Sequence, residues 1–377
     1  MMSELRPLYA AGFVTAFGAH SIAASLGGYS HASLLTLGLL LALYDGAEVV
    51  LEPVFGSLAD RIGPRPVLLG GLVAFAVASG AFVVAGDPTA VGLARFGQGA
   101  AAAAFSPAAG ALVARLSPTK RQGRAFGGYG AWKSVGYTLG PLLGGVLIAL
   151  GGFPLLFGTL AVLAILVAGW AALAVPAPAP LPRSRQTVLG LVRRLSEPGF
   201  LRPTAVLAAT TAALAVGVGF LPVTGAANGL GPIATGAAVS VLALSSALVQ
   251  PYAGRLRDAG RLSDGPGMAA GLTLAAAGLA LGAFIPGLAG ILAAAVTIGA
   301  GVGLATPLGF AHLAGWTPPE RLGQTMGAAE VGRELGDAGG PLLVGALATA
   351  ATLGAGLAGL AVVLVVVGLA VFRSRAA

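Results

Sequence analysis

Apolar runs of roughly 18 or more residues, each long enough to cross a bilayer as a helix, recur along almost the whole of this 377-residue chain. Polar or Gly/Pro breaks separate them into spans at about 6–27, 32–58, 66–86, 89–114, 124–149 and 153–175, then 202–224, 232–256, 266–286, 288–314, 322–349 and 352–372. Twelve such spans leave no room for a soluble catalytic domain. Only 9% of the residues are charged, against about 25% in soluble domains. The 61 Gly and 24 Pro follow no Gly-X-Y period and lie in no polar tract, which excludes collagen and disorder. With no Cys and three His, neither a disulfide, a thiolate site nor a histidine-rich metal site is expected. The first run lacks a small-residue cleavage site and is read as a retained helix, not a signal peptide. The expected fold is an all-α polytopic membrane protein.

Basic residues orient the spans. Alternate connections hold Arg61 and Arg65; Arg115, Lys120, Arg121 and Arg124; Arg183, Arg185, Arg193, Arg194 and Arg202; Arg255, Arg257 and Arg261; and Arg321. Arg6, Arg373 and Arg375 flank the ends, so 18 of the 21 basic residues lie on one side and the opposite connections hold none. Both termini are therefore expected in the cytoplasm. The net charge of +8 reads as a topology signal, not a nucleic-acid footprint.

The one long connection, from Val175 to Pro203, divides the chain into residues 1–175, a cytoplasmic linker at 176–201, and residues 202–377. Within it, Thr187 to Ser196 is expected to form a short amphipathic surface helix. The halves repeat. Pro118, Arg121, Gly123 and Gly127 recur 200 residues on as Pro318, Arg321, Gly323 and Gly327, and Gly140-Pro141-Leu142-Leu143 recurs as Gly340-Pro341-Leu342-Leu343. Pro53, Gly56, Leu58 and Asp60 recur 198 residues on as Pro251, Gly254, Leu256 and Asp258. A parallel repeat of this kind implies two six-helix bundles about an axis along the membrane normal, with a site between them at mid-depth.

Three motifs in the first half carry a family likeness. Gly56-Ser-Leu-Ala-Asp60-Arg61-Ile-Gly63-Pro-Arg65 follows the second span, Arg95-Phe-Gly-Gln98-Gly99 lies in the fourth, and Gly136-Tyr-Thr-Leu-Gly140-Pro141-Leu-Leu-Gly144-Gly145 lies in the fifth. Together they resemble the major facilitator superfamily over the whole chain, and the last resembles its drug:proton antiporter branch. Pro64 and Pro66 interrupt the first motif, and its second-half copy is reduced to Gly254-Arg-Leu-Arg-Asp258-Ala-Gly260. No acid lies in the seventh or tenth span, where some exporters keep a proton site. The resemblance implies that Asp60, with Arg61 and Arg65, docks near the start of the eleventh helix. It implies too that Gly136, Gly140 and Pro141 form a gate against the eighth span, and that Arg95 assists proton transfer. A solvated turn charge, tight packing and a carbonyl-paired arginine are the bland alternatives.

Ionisable groups inside hydrocarbon are costly, which makes each a functional candidate. Asp45, Glu48 and Glu52 lie in the second span and Glu330, Glu334 and Asp337 in the eleventh, each trio on one helix face with Arg333 beside the second. Counting about 1.5 Å per residue from the cytoplasmic ends puts Asp45 roughly 22 Å deep, Glu48 about 18 Å and Glu334 about 20 Å. The six acids outnumber the nearby cations Arg333 and Lys133, and carboxylates in excess of cations in a low-dielectric site take up protons near neutral pH. Two readings stand. In one, Asp45, Glu48, Glu334 and Asp337 work with Arg95 on protons or substrate. In the other, the acids form a lock between bundles, to which Glu52, Glu330 and Arg333 are assigned, with Glu334 as the partner of Arg333. His20, Gln98, Tyr129, Lys133 and Tyr137 are candidates to line a cavity or, alternatively, to fill helix interfaces. His31 and His312 are given no role.

There is no Ser/His/Asp spacing, P-loop or dinucleotide fingerprint in a soluble context, so no enzyme, cofactor or metal is expected. The expected function is a proton-coupled exporter of small amphipathic or cationic compounds, working by alternating access. Its partners would be substrate, protons and the lipid bilayer of a bacterial inner membrane, and it would act as a monomer. Export of a specific metabolite, lipid or metal cation stays open, as do an uptake symporter, which the fifth-span motif disfavours, and a non-transporting receptor of the same fold.

Overall fold

The computed structural model describes residues 2–30, 34–178 and 196–372. Among them every regular element is helical, with eleven unbroken or kinked α-helical runs and two single-turn 3-10 helices. The first four are α1 (Met2–Ser30), α2 (Leu34–Ile62), α3 (Pro64–Ala81) and α4 (Pro88–Arg115). The 53-residue run Gln122–Ala174 leaves helical geometry at Gly151 and at Gly152, whose φ of 71° favours glycine. Its two arms are α5 (122–150) and α6 (153–174), so the break that the sequence places between 149 and 153 is made by two residues. The rest are α7 (Pro198–Ala227), α8 (Pro232–Asp258), α9 (Asp264–Phe284), α10 (Gly287–Trp316), α11 (Leu322–Ala350) and α12 (Leu353–Phe372). The proposed surface helix at Thr187 to Ser196 falls largely outside the described residues, as does His31.

Starts are encoded locally. Proline, which has no N–H to leave orphaned, opens α3, α4, α7 and α8. Asp87 also caps α4, accepting the N–H groups of Thr89 and Ala90 at 2.9 and 3.1 Å.

Among the described residues, seven helical stretches are long and apolar enough to cross a membrane: Pro64–Ala81, Thr119–Ala174, Pro198–Ala227, Ala234–Asp258, Asp264–Phe284, Gly287–Trp316 and Leu353–Phe372. By that measure α4 and α11 fall short, and they hold Arg95 and the trio of Glu330, Glu334 and Asp337. Large apolar side chains such as Leu150, Leu173, Leu342 and Val84 face outward, as suits helices solvated by lipid.

The described residues gather into two compact units, one of 2–118, 132–178 and 317–331, the other of 119–131, 196–316 and 332–372. Each unit therefore includes a helix start from the opposite half of the sequence: that of α11 in the first and that of α5 in the second. The first unit's core joins Phe17 and Ile22 of α1 to Leu40 of α2, Val91 of α4 and Leu156, Phe157 and Leu160 of α6. In the second, Leu272 and Leu279 of α9 meet Ile291 and Ile298 of α10 and Leu360 and Leu364 of α12. Small residues bring these helices close. A side chain on Gly271 would meet the Gly301 carbonyl of α10 at 2.7 Å.

Candidate functional site

In the first unit the polar centre lies between α2 and α4. At Gly99 the backbone of α4 presses on Tyr44 of α2, and an added Cβ there would overlap the Tyr44 carbonyl. One turn earlier on α4, the Arg95 guanidinium lies 4.5 Å from the centre of the Tyr44 ring. The Tyr44 hydroxyl in turn donates to Glu48 at 3.4 Å. Arg95 Nη1 donates to Gln98 Oε1 at 3.2 Å, and Gln98 Nε2 to the Ser79 hydroxyl of α3 at 3.0 Å. Arg95, Gln98, Ser79 and Glu48 are all buried, while Asp45 is exposed. Oxygens of Asp45 and Glu48 lie within 4.8 Å of each other. A buried cation thus stands beside two carboxylates, an arrangement able to exchange charge as a proton arrives or leaves. Sequence reasoning missed Tyr44 and Ser79. Tyr44 was signalled by its place one turn before Glu48; Ser79 had no signal.

Nearer the end of α2, Glu52 and Glu330 are buried with carboxylate oxygens within 4.8 Å. Within this unit each carboxylate pair offers at most four oxygens, against the six to eight a calcium ion takes. The start of α11 dovetails with α2 here. A Cβ on Gly56 would meet the Gly323 carbonyl at 2.5 Å, and one on Gly327 the Glu52 carbonyl at 2.6 Å. Asp60 closes the contact by accepting the N–H groups of Gly323 and Gln324, both at 2.8 Å, an anion on the positive end of a helix. Arg115 donates to the Pro319 carbonyl at 2.9 Å. Arg65 donates to the Ala172 carbonyl, while Arg61 is exposed and makes no hydrogen bond or ion pair among the described residues.

The second unit repeats this clasp. Asp258 of α8 accepts the N–H groups of Gly123 and Arg124 at 2.9 and 2.8 Å, where Gly254 and Gly123 pack backbone to backbone. The reduced motif around Asp258 hid this role, although the two repeat offsets map Asp60 to Asp258 and Gly323 to Gly123.

The α5 strip has a different neighbour from the eighth span that the resemblance implied. Added side chains on Gly136, Gly140 and Gly144 would meet Phe13, Phe17 and Ser21 of α1 at 2.5, 2.9 and 2.9 Å. Ser21 reinforces the contact by donating to the Gly140 carbonyl at 2.7 Å. It is the Gly123 and Gly127 end of α5, on a separate stretch, that meets α8. Pro141, beside the strip, is exposed.

Among the cavity candidates, His20 sits 4.4 Å from the Tyr137 ring and its Nδ1 lies 3.2 Å from the Ala16 carbonyl. Phe13 stacks on Phe17 and meets Trp132 edge-on. Lys133 is half-buried in the first unit, and Tyr129 is buried in the second. In the second unit Arg333 lies 5.8 Å from the Phe310 ring, itself stacked on Phe126; Glu334 is half-buried and Asp337 exposed.

Compared with known families, the chain matches the Major Facilitator Superfamily over residues 8–225 and 204–377. The chain belongs to the Major Facilitator Superfamily. Superfamily relatives include the quinolone resistance protein NorA of Staphylococcus aureus, 32% identical over 109 residues, or 29% of this chain and 28% of NorA. The probable actinorhodin transporter of Streptomyces coelicolor is 34% identical over 137 residues, 36% of this chain and 23% of that protein. The aligned stretches thus span only about a quarter of these relatives' length. The superfamily fold is shared by the human organic anion transporter MFSD10, with a TM-score of 0.84 at 16% identity, covering 98% of this chain and 99% of that one. The Escherichia coli fucose:proton symporter FucP gives 0.83 at 15% identity, covering 98% of both chains.

Proposed function

We propose that this superfamily transporter is a proton-driven exporter of small amphipathic or cationic compounds, built as two bundles that rock about a mid-membrane site. The observation that carries the reading is the α2–α4 centre, where buried Arg95 lies on Tyr44 beside Glu48 and Asp45. In the proposed cycle a proton entering from outside neutralises Asp45 or Glu48, and its release inside restores an anionic site that draws in a cation. Export, as opposed to uptake, is supported by the fifth-span motif and by the stretch shared with NorA, a quinolone resistance protein. In this reading the protein is a monomer in a bacterial inner membrane with both termini in the cytoplasm, and Asp60 and the α5 glycines set which side is closed. Glu52 and Glu330 are assigned a structural part, because they lie buried beside the Gly327 contact.

Flux in proteoliposomes under an imposed pH gradient tests this, with fluorescent lipophilic cations and neutral drugs as cargo. Uphill movement that collapses with the gradient and in Asp45→Asn or Glu48→Gln is expected. Uphill movement indifferent to both substitutions would move proton coupling away from α2. No gradient-driven movement of any cargo would return the metabolite, metal and receptor readings.

A further inference from the structure

A cavity of about 940 Å³ opens in the second unit. Its walls are the 3-10 turn after α4, the start of α7, the α8–α9 turn, and the ends of α10 and α12. Six charged or titratable groups line it: Lys120, Arg202, Arg257, Asp258, Asp264 and His312. The acids are already engaged. Asp258 holds the two N–H groups of α5, and Asp264 takes Arg257 Nε at 2.7 Å and Nη2 at 3.2 Å, with His312 Nδ1 at 3.1 Å. Lys120 and Arg202, by contrast, are exposed and make no hydrogen bond or ion pair among the described residues.

The cavity's charge balance therefore leaves a lysine and an arginine for an anion. Leu262, Met268 and Val371 supply an apolar side, where α9 begins and α12 ends, two helices apolar enough to cross a membrane. Cations beside an apolar wall at the ends of such helices match a headgroup with its first acyl carbons.

We propose that this cavity binds a phosphate-bearing anion, supplied by the headgroup of an anionic phospholipid. Arg202 and Lys120 hold the phosphate, and the apolar wall takes the glycerol end. The proposal rests on the membrane fold and is independent of the export reading.

Native mass spectrometry of the full-length protein from phosphatidylcholine nanodiscs, with and without phosphatidylglycerol, tests it. Wild type should retain phosphatidylglycerol saturably. Lys120→Gln with Arg202→Gln should weaken retention about tenfold or more, whereas Arg261→Gln, a nearby basic residue outside the cavity, should not. If inorganic phosphate binds in pure phosphatidylcholine with the same variant sensitivity and phosphatidylglycerol does not, the phosphate site stands and its source is a soluble anion. Equal weakening by Arg261→Gln, or no variant-sensitive binding of either probe, overturns the proposal. Should the double variant not fold, a photoactivatable phosphatidylglycerol on wild type decides. Labelling of residues 257–268 or the end of α12 upholds the site, and labelling confined elsewhere overturns it.

Discussion

At Gly99 one methyl group decides whether α4 can lie where it does, because the Tyr44 carbonyl occupies the space a Cβ needs. Gly99→Ala should cost about 1–3 kcal/mol, read as a lower melting temperature in detergent. Gly70→Ala, with nothing within 4 Å of the new atom, should be neutral or stabilise by roughly 0.5–1 kcal/mol. Arg95→Lys keeps the charge but removes the planar cation from the Tyr44 ring, an interaction worth roughly 0.5–2 kcal/mol. It should lower both melting temperature and uphill flux more than Tyr44→Phe, which keeps the ring. Arg95 and Gln98 were legible because they share one helix and one motif. Tyr44 and Ser79 stand on α2 and α3, and the register of those helices against α4 is set by packing at Gly99 and at Gly71, respectively, which the spacing along one helix does not report.

Helix ends show the same division between what a pattern states and what it leaves open. Glycines four residues apart mark a face that something must approach closely, yet they do not name the neighbour. On α5 the face at Gly136, Gly140 and Gly144 meets α1, while Gly123 and Gly127 meet α8. On α11, Gly336 and Gly340 press on Ala208 and Ala212 of α7 in the same manner. The carboxylate clasps at Asp60 and Asp258 also match, each taking two backbone N–H groups. Asp258→Ala should therefore destabilise about as much as Asp60→Ala, on the order of 0.5–2 kcal/mol, despite the eroded motif around it. A melting shift for Asp60→Ala alone would show that the second clasp contributes nothing.

At the level of the molecule, length and hydropathy made the all-helical class readable, because a bilayer tolerates few alternatives. The division into compact units was less readable, since the first turns of α5 and α11 join the unit built mainly from the other half of the sequence. Residues 1–175 and 202–377, made as separate chains, should accumulate only when co-expressed, each alone being degraded. Stable accumulation of either half by itself, measured by immunoblot of membranes, would contradict that expectation.

The two clasps also differ in time. When α8 leaves the ribosome, the backbone that Asp258 needs was made 135 residues earlier, so that contact forms as soon as the helix is inserted. Asp60 must wait for Gly323, 263 residues downstream, which at about 5–20 residues per second is a delay on the order of 10–50 s. For that interval the nascent chain carries an anion with its destination still unwritten, and a message broken before α11 yields a protein in which one clasp has closed and the other never will.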